Sequence, residues 1–220
     1  MVKKQITSQD VANFAEVSRT TVSLVLNDVK GASISKSTRK KVREAARTLG
    51  YIPNATAQAL ATQRSRAIGL VMTRSPRHIS SDTFLPQILG GLLNVVRDHK
   101  FRLLIETVDE GHEDRVYLEL ARAKHIDGMI LLTPRLDEQG LKQLEEVGLP
   151  IVLMGRMNDS NLSAVDVDNC AAAQQAVDYL LKLGHTKIAC IANAPVSYAA
   201  AQDRVLGYRN ALMEAGIAPN

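Results

Sequence analysis

The chain has 220 residues, 45% of them hydrophobic, and a formal net charge of +4, which leaves room for one large domain or for a small one and a medium one with a real core. The charge is unevenly placed: residues 1–66 carry 12 Lys/Arg against 4 Asp/Glu, net +8, and the remainder carries 15 against 19, net −4, so a basic head precedes an acidic body and the head suits a polyanion. Three classes are excluded. A polar stretch follows Lys3 and Lys4 where a secretion signal needs an apolar one. No apolar run approaches the ~20 residues of a membrane span. Cys170 and Cys190 are too few and too isolated for a zinc site and do not imply a disulfide, so the chain reads as cytoplasmic, without metal or cofactor.

The first predicted helix starts at Thr7, which stands at capping-box spacing from Asp10, and its apolar stripe is Val11, Ala12 and Ala15. Val17 and Ser18 interrupt it. Ser18 is a good N-cap for a second helix with Val22, Val25 and Leu26 on its inner face. A third helix starts near Ser35 or Ser37, with Val42, Ala45, Ala46 and Leu49 inward and Gly50 just past its end. Two helices joined by a turn of three or four residues make a helix-turn-helix. It leaves Arg19, Thr20, Thr21 and Ser23 at the exposed start of the second helix, where side chains reach base edges in a major groove. The competing reading is a three-helix bundle with no DNA role. Residues 53–66 follow as a linker. Ala55, Ala57, Ala59, Leu60 and Ala61 favour helix, but so short a helix is not stable alone.

Apolar runs at 68–72, 103–105, 129–132, 151–154, 165–167 and 188–191 then alternate with amphipathic stretches near 85–99, 113–124, 137–147, 169–183 and 203–215. Spacing of about 25–35 residues predicts βα units and a parallel, doubly wound sheet. Ligands of such sheets bind beyond the carboxyl ends of the strands. Those ends fall near 74–77, 107–110, 133–134, 155–156 and 193–198. Several conspicuous residues have plainer readings. Asp127 and Gly128 suit a turn into a strand, and His185 a helix-to-strand turn. Asp166 and Asp168 suit exposed or capping positions, and Phe84 a place in the core.

Two head motifs, DVANFAEVSRTTVSLVLN at 10–27 and LGYIPNATAQALAT at 49–62, resemble the lac/galactose repressor family in sequence and in spacing. The body segments DTFLPQILGGL, HIDGMILLTP, GLPIVLMGR, VDVDNCAAAQQAVDYLLKLGHTKIACIA and DRVLGYRNALMEAGI resemble it too. The resemblance implies base contacts from Arg19 and Thr20. It implies that Ser18, Thr21, Ser23 and Asn27 touch phosphate or fix the helix, and that Tyr51 and Asn54 lie near the backbone at the hinge. Leu60 becomes the wedge that opens a minor-groove base step, against the alternative of a plain Ala-rich linker. The fold implied is a small all-α head plus an α/β body like a periplasmic binding protein, two lobes around a small effector. That effector, a sugar or a purine-like molecule, would be gripped by Arg204 with Asp82 and Phe84 near the mouth. The expected division is 1–52 head, 53–66 hinge, 67–164 first lobe and 165–220 partial second lobe.

Two departures stand in the head. Glu16 occupies a turn position where the family usually has Gly, at some backbone strain and with a carboxylate near phosphates. Leu24 replaces the usual guanine-reading Arg and can offer only apolar contact to a thymine methyl. In the body, Gly155 stands where the family often has a carboxylate for a sugar hydroxyl. Family members also run over a hundred residues further. The expectation is therefore a fragment with an incomplete second lobe and exposed apolar sheet surface. The functional expectation is a repressor that binds a near-palindromic double-stranded operator as a homodimer under effector control, and not an enzyme. G-x-x-x-x-G-K-[ST], G-x-G-x-x-G after a strand and G-x-S-x-G are all missing, and His112-Glu113 lacks the second His of a zinc protease. A solute-binding transport protein with a non-functional head is the alternative.

Overall fold

The structure, a computed structural model, describes residues 6–29, 31–73, 79, 81–109, 111–138, 140–157, 160–192 and 194–219, with the side chains at 55, 56, 60, 61, 114 and 142 left aside. It divides into two compact units, Met1–Ser65 and Arg66–Asn220.

The first unit is α1 (Ser8–Phe14), α2 (Arg19–Leu26), α3 (Lys36–Leu49) and α4 (Ala55–Thr62). Each of the first three starts on the hydroxyl that the sequence offers. Thr7 and Asp10 close a reciprocal capping box on α1, Ser18 Oγ accepts from the Thr21 amide, and Ser35, rather than Ser37, caps α3 through the Thr38 amide. These contacts satisfy amides that a helix start leaves open, at about 1 kcal/mol each. Val11, Ala12, Ala15, Val22, Val25, Val42, Ala45 and Ala46 are buried together, with Val17, Leu26, Leu49 and Tyr51 packed against them. Small residues on α1 and α3 let the helices approach closely enough for this core to close. Asn54 starts α4: its carbonyl accepts from the Gln58 amide and its Oδ1 from the Ala57 amide.

The second unit contains β1 (Ala67–Met72), α5 (Leu85–Asp98), β2 (Arg102–Thr107), α6 (Glu113–Arg122), β3 (Gly128–Leu132), α7 (Gly140–Val147), β4 (Ile151–Met154), β5 (Ser163–Val165), α8 (Asn169–Lys182) and α9 (Ala199–Glu214). The five strands pair in parallel in the order β2-β1-β3-β4-β5. Side chains alternate between its two faces. Val71, Met129, Leu131 and Leu153 face α6 and α7, where they meet Tyr117, Ala121, Leu141 and Leu144. Leu70, Met72 and Leu132 face the other way and meet Leu85, Ile88, Leu89 and Leu92 of α5. Burial on both faces is why β1, β3 and β4 read as continuous apolar runs.

Two strand expectations need correction. The run at 165–167 pairs instead as Ser163–Val165, because Asp166 Oδ1 accepts from the Val167 amide and the Asn169 side chain and so turns the chain into α8. The run at 188–191 forms no strand. An isolated extended segment cannot satisfy its backbone groups without a neighbour, and among the described residues none pairs with it. Beyond β5 the described residues of the body form two helices, α8 and α9. α8 and α9 bury Val177, Tyr208, Ala211 and Leu212 between them, and the Tyr208 hydroxyl donates to the Ile188 carbonyl at 2.9 Å. Val165, Val167, Ile191 and Val196 remain exposed, Ile191 almost fully at 94%.

Candidate nucleic-acid interface and effector cleft

The exposed start of α2 is built on its cap. Ser18 Oγ lies 3.1 Å from the Thr21 amide and 2.9 Å from Thr21 Oγ1, so both residues are engaged in fixing the helix. Arg19 and Thr20 point into solvent beside them. Arg19 Nε donates to Ser8 Oγ of α1 at 3.0 Å, its one hydrogen bond among the described residues. One turn later Ser23 Oγ accepts from Asn27 Nδ2 at 3.1 Å, and Asn27 Oδ1 accepts from Gln58 Nε2 of α4 at 2.9 Å. Ser23 and Asn27 thus link the second helix to the hinge helix. Leu24 is half-buried. Tyr51 packs against the core of the head, while Asn54 is exposed and caps α4. Leu60 lies on α4, and its side chain is outside the described residues.

Glu16 adopts the left-handed conformation expected of its position, with φ 49°. Its carboxylate is exposed but paired: Lys41 Nζ of α3 lies 2.7 Å away. The hydrogen bond and the charge of Lys41 hold the Glu16 carboxyl below the ordinary carboxylate range. The unfavourable carboxylate of the sequence reading is therefore paired within the head.

In the body, β2 and β3 lie on opposite sides of β1, so the chain reverses its direction of spread there. Such a switch point opens a crevice beyond the carboxyl ends of the two central strands. Thr73 and Thr133 stand at those ends. Thr133 has φ 50°, a conformation that a β-branched residue rarely adopts. Behind Thr73 lies a buried polar cluster. Its hydroxyl is 3.4 Å from the Tyr117 hydroxyl, which donates to Glu138 Oε2 at 3.1 Å, and Glu138 Oε1 accepts from the Arg135 amide at 2.9 Å. Glu113 is buried beside them in the same helix as Tyr117.

The predicted effector residues fall in different settings. Asp82 Oδ1 accepts from the Phe84 and Leu85 amides at 2.8 and 2.9 Å, so it shapes the entry to α5. Phe84 is 63% exposed, which overturns its reading as core. Arg204 lies in the first half of α9 and donates from Nε to Asn169 Oδ1 at 3.1 Å. Next to it, Asp203 accepts from Arg156 Nη2 at 2.7 Å, joining α9 to the end of β4. Between Arg156 and β4, Gly155 has φ 118° and its amide donates to the Val165 carbonyl. L side chains rarely adopt that φ, so this backbone keeps a side-chain carboxylate out of position 155. The predicted ends at 74–77, 110 and 193 lie outside the described residues.

Sequence reasoning missed Ser8, Gln58, Asn169 and Asp203, and placed Arg156 only at a strand end without its partner. Asn169 is 3% exposed and N-terminal in its helix, and a polar residue at a helix start reads as a cap, which conceals its partnership with a side chain 35 positions on. Asp127 and Asp168 take the plain roles foreseen, Asp127 accepting from the Arg66 amide at the base of the sheet and Asp168 capping α8.

A helix-turn-helix head thus precedes a body built on a parallel α/β sheet. Residues 7–54 match the family described as bacterial regulatory proteins, lacI family, and residues 65–220 match the periplasmic binding proteins and sugar binding domain of LacI family. The chain belongs to the LacI family. It is 33% identical over 98% of its length to the HTH-type transcriptional regulator CelR of Thermobifida fusca, and spans 63% of that protein. Among solved structures, it superposes on a transcriptional regulator CelR–cellobiose complex with TM-score 0.65 and 32% identity, covering 98% of this chain and 64% of that one. It superposes on the lac repressor dimer bound to operator and the anti-inducer ONPF with TM-score 0.79 and 28% identity, at the same coverage.

Proposed function

We infer that the chain acts as a transcription repressor that binds a near-palindromic double-stranded operator as a homodimer, in the cytoplasm, under control of a small-molecule effector. The carrying observation is the exposed start of α2, where Arg19 and Thr20 stand free of the core on a helix capped by Ser18. In this reading 1–52 is the head, 53–66 the hinge, 67–164 the first lobe and 165–220 the part of the second lobe that this chain carries. Arg19 and Thr20 read base edges. Ser18, Thr21, Ser23 and Asn27 fix the helix or touch phosphate, Tyr51 and Asn54 lie near the DNA backbone at the hinge, and Leu60 enters the minor groove. Asp82, Phe84 and Arg204 serve the effector. A sugar effector is supported by the likeness to the cellobiose complex, whereas Gly155 supplies no carboxylate to a sugar hydroxyl. The relative and the structures above are regulators, which supports a non-enzymatic role for this chain as well.

In-vitro selection of DNA sites with the 220-residue chain tests this. A shared near-palindromic motif should emerge, with an A·T pair opposite Leu24 because its only complement is a thymine methyl. Affinity for that motif should fall steeply between 50 and 200 mM salt, with a log–log slope of roughly −0.9 for each phosphate contact. No common motif and a flat salt response would leave the head without a DNA role and favour a solute-binding protein.

A further inference from the structure

We propose that Ser8 is a positioning residue for Arg19, holding its guanidinium so that the end-on pair of nitrogens reads a guanine at one position of each half-site. This rests on the reading of Arg19 as a base contact. A guanidinium carries five N–H donors in a planar fork, one on Nε and four on the two terminal nitrogens. It can present two donors side-on, using Nε and one terminal nitrogen, or end-on, using both terminal nitrogens. Guanine O6 and N7 accept such a pair. The Ser8 hydroxyl occupies Nε at 3.0 Å, which removes the side-on pair. Among the described residues the two terminal nitrogens have no protein partner, so the end-on pair is what remains for DNA.

The anchor is firm. Ser8 is the first residue of α1, flanked by the Thr7–Asp10 box, in which the Thr7 amide and hydroxyl donate to Asp10 Oδ2 at 2.8 and 2.7 Å. Beyond that turn, Val11, Ala12 and Ala15 pack in one core with Val22 and Val25 of α2, which sets the distance between the two helices. Arginine has among the largest rotamer entropies to lose on ordering. A hydrogen bond made before DNA arrives reduces that loss at the moment of binding.

The test is quantitative site selection with the 220-residue chain and its Ser8→Ala, Ser8→Thr and Arg19→Ala variants, with thermal unfolding as a check on the head. Ser8→Ala should weaken the guanine preference at one half-site position by about 2- to 10-fold, the range of one hydrogen bond. Its affinity for random DNA and its melting temperature should stay as in the parent. Ser8→Thr, which keeps the hydroxyl, should restore the preference. On an Arg19→Ala background, Ser8→Ala should add nothing. If Arg19→Ala leaves the motif unchanged, the base-contact reading fails and the proposal with it. If Arg19→Ala flattens one position and Ser8→Ala does not, the positioning role alone is overturned.

Discussion

Glu138 is a carboxyl placed where its charge is expensive. Burial raises its pKa above the ordinary 4.5, with Glu113 adding to the shift, while the Arg135 amide and the Tyr117 hydroxyl oppose it. A folded value above the unfolded one means that the contribution of the protonated form is complete below about pH 4.5 and is lost as pH rises through the folded value. Glu138→Gln has no charge to bury. Its stability relative to the parent should therefore grow as pH rises from 4 to 7, read as the difference between the two thermal midpoints of the α/β unit. A difference that does not change with pH would refute the burial of a charge at this position. Which residues the sequence can place depends on how far apart the partners stand. Caps such as Thr7, Ser18 and Asp168 act on amides within three positions, so local spacing reveals them. Ser8 with Arg19, Arg156 with Asp203, and Asn169 with Arg204 meet across 11, 47 and 35 positions, and only the packing of helices brings them together.

The pair α8–α9 depends on one glycine. A Cβ on Gly207 would collide with the backbone carbonyl oxygen of Cys170 and would stand 3.0 Å from the Gln174 amide nitrogen. The obstruction is backbone, which cannot rotate aside, so Gly207→Ala must push the helices apart despite its better helix propensity. The expected loss is about 1–3 kcal/mol, visible as a lower denaturant midpoint and faster amide exchange confined to α8 and α9. Undiminished protection in both helices would show that the contact is not tight. Elements of this kind were legible when periodicity and burial agreed. The first four strands of the sheet and the helices covering it follow from apolar runs alternating with amphipathic ones, while the fifth is displaced from its apolar run to Ser163–Val165. The run at 188–191 has the same apolar character and stays unpaired, because an apolar run specifies a strand only where a neighbouring strand completes its hydrogen bonds.

At the scale of the whole molecule, the proposed function turns on α4, the last helix of the first unit. α4 has eight residues, too few to be stable alone in water, and the Gln58–Asn27 hydrogen bond is one of the contacts that tie it to the head. A weakly held helix is a natural point of control, since small changes in its support alter how often it is formed. The sequence showed the helix and its brevity, while its tie to α2 through Asn27 required the fold. In the proposed complex, two copies of α4 meet in the minor groove and Leu60 of each unstacks a base step, an exchange of stacking energy for a bent operator that contacts more protein. Leu60→Gly removes the wedge and lowers helix propensity by about 1 kcal/mol. Operator affinity of the 220-residue chain should then fall roughly tenfold or more, because wedge and helix are both lost from the specific complex. Affinity for random DNA should hardly change, since phosphate contacts from the basic head supply it. Competition binding with selected and scrambled duplexes at one fixed salt concentration separates the two. Equal losses on both duplexes would place Leu60 in general support of the head and remove the wedge from the mechanism.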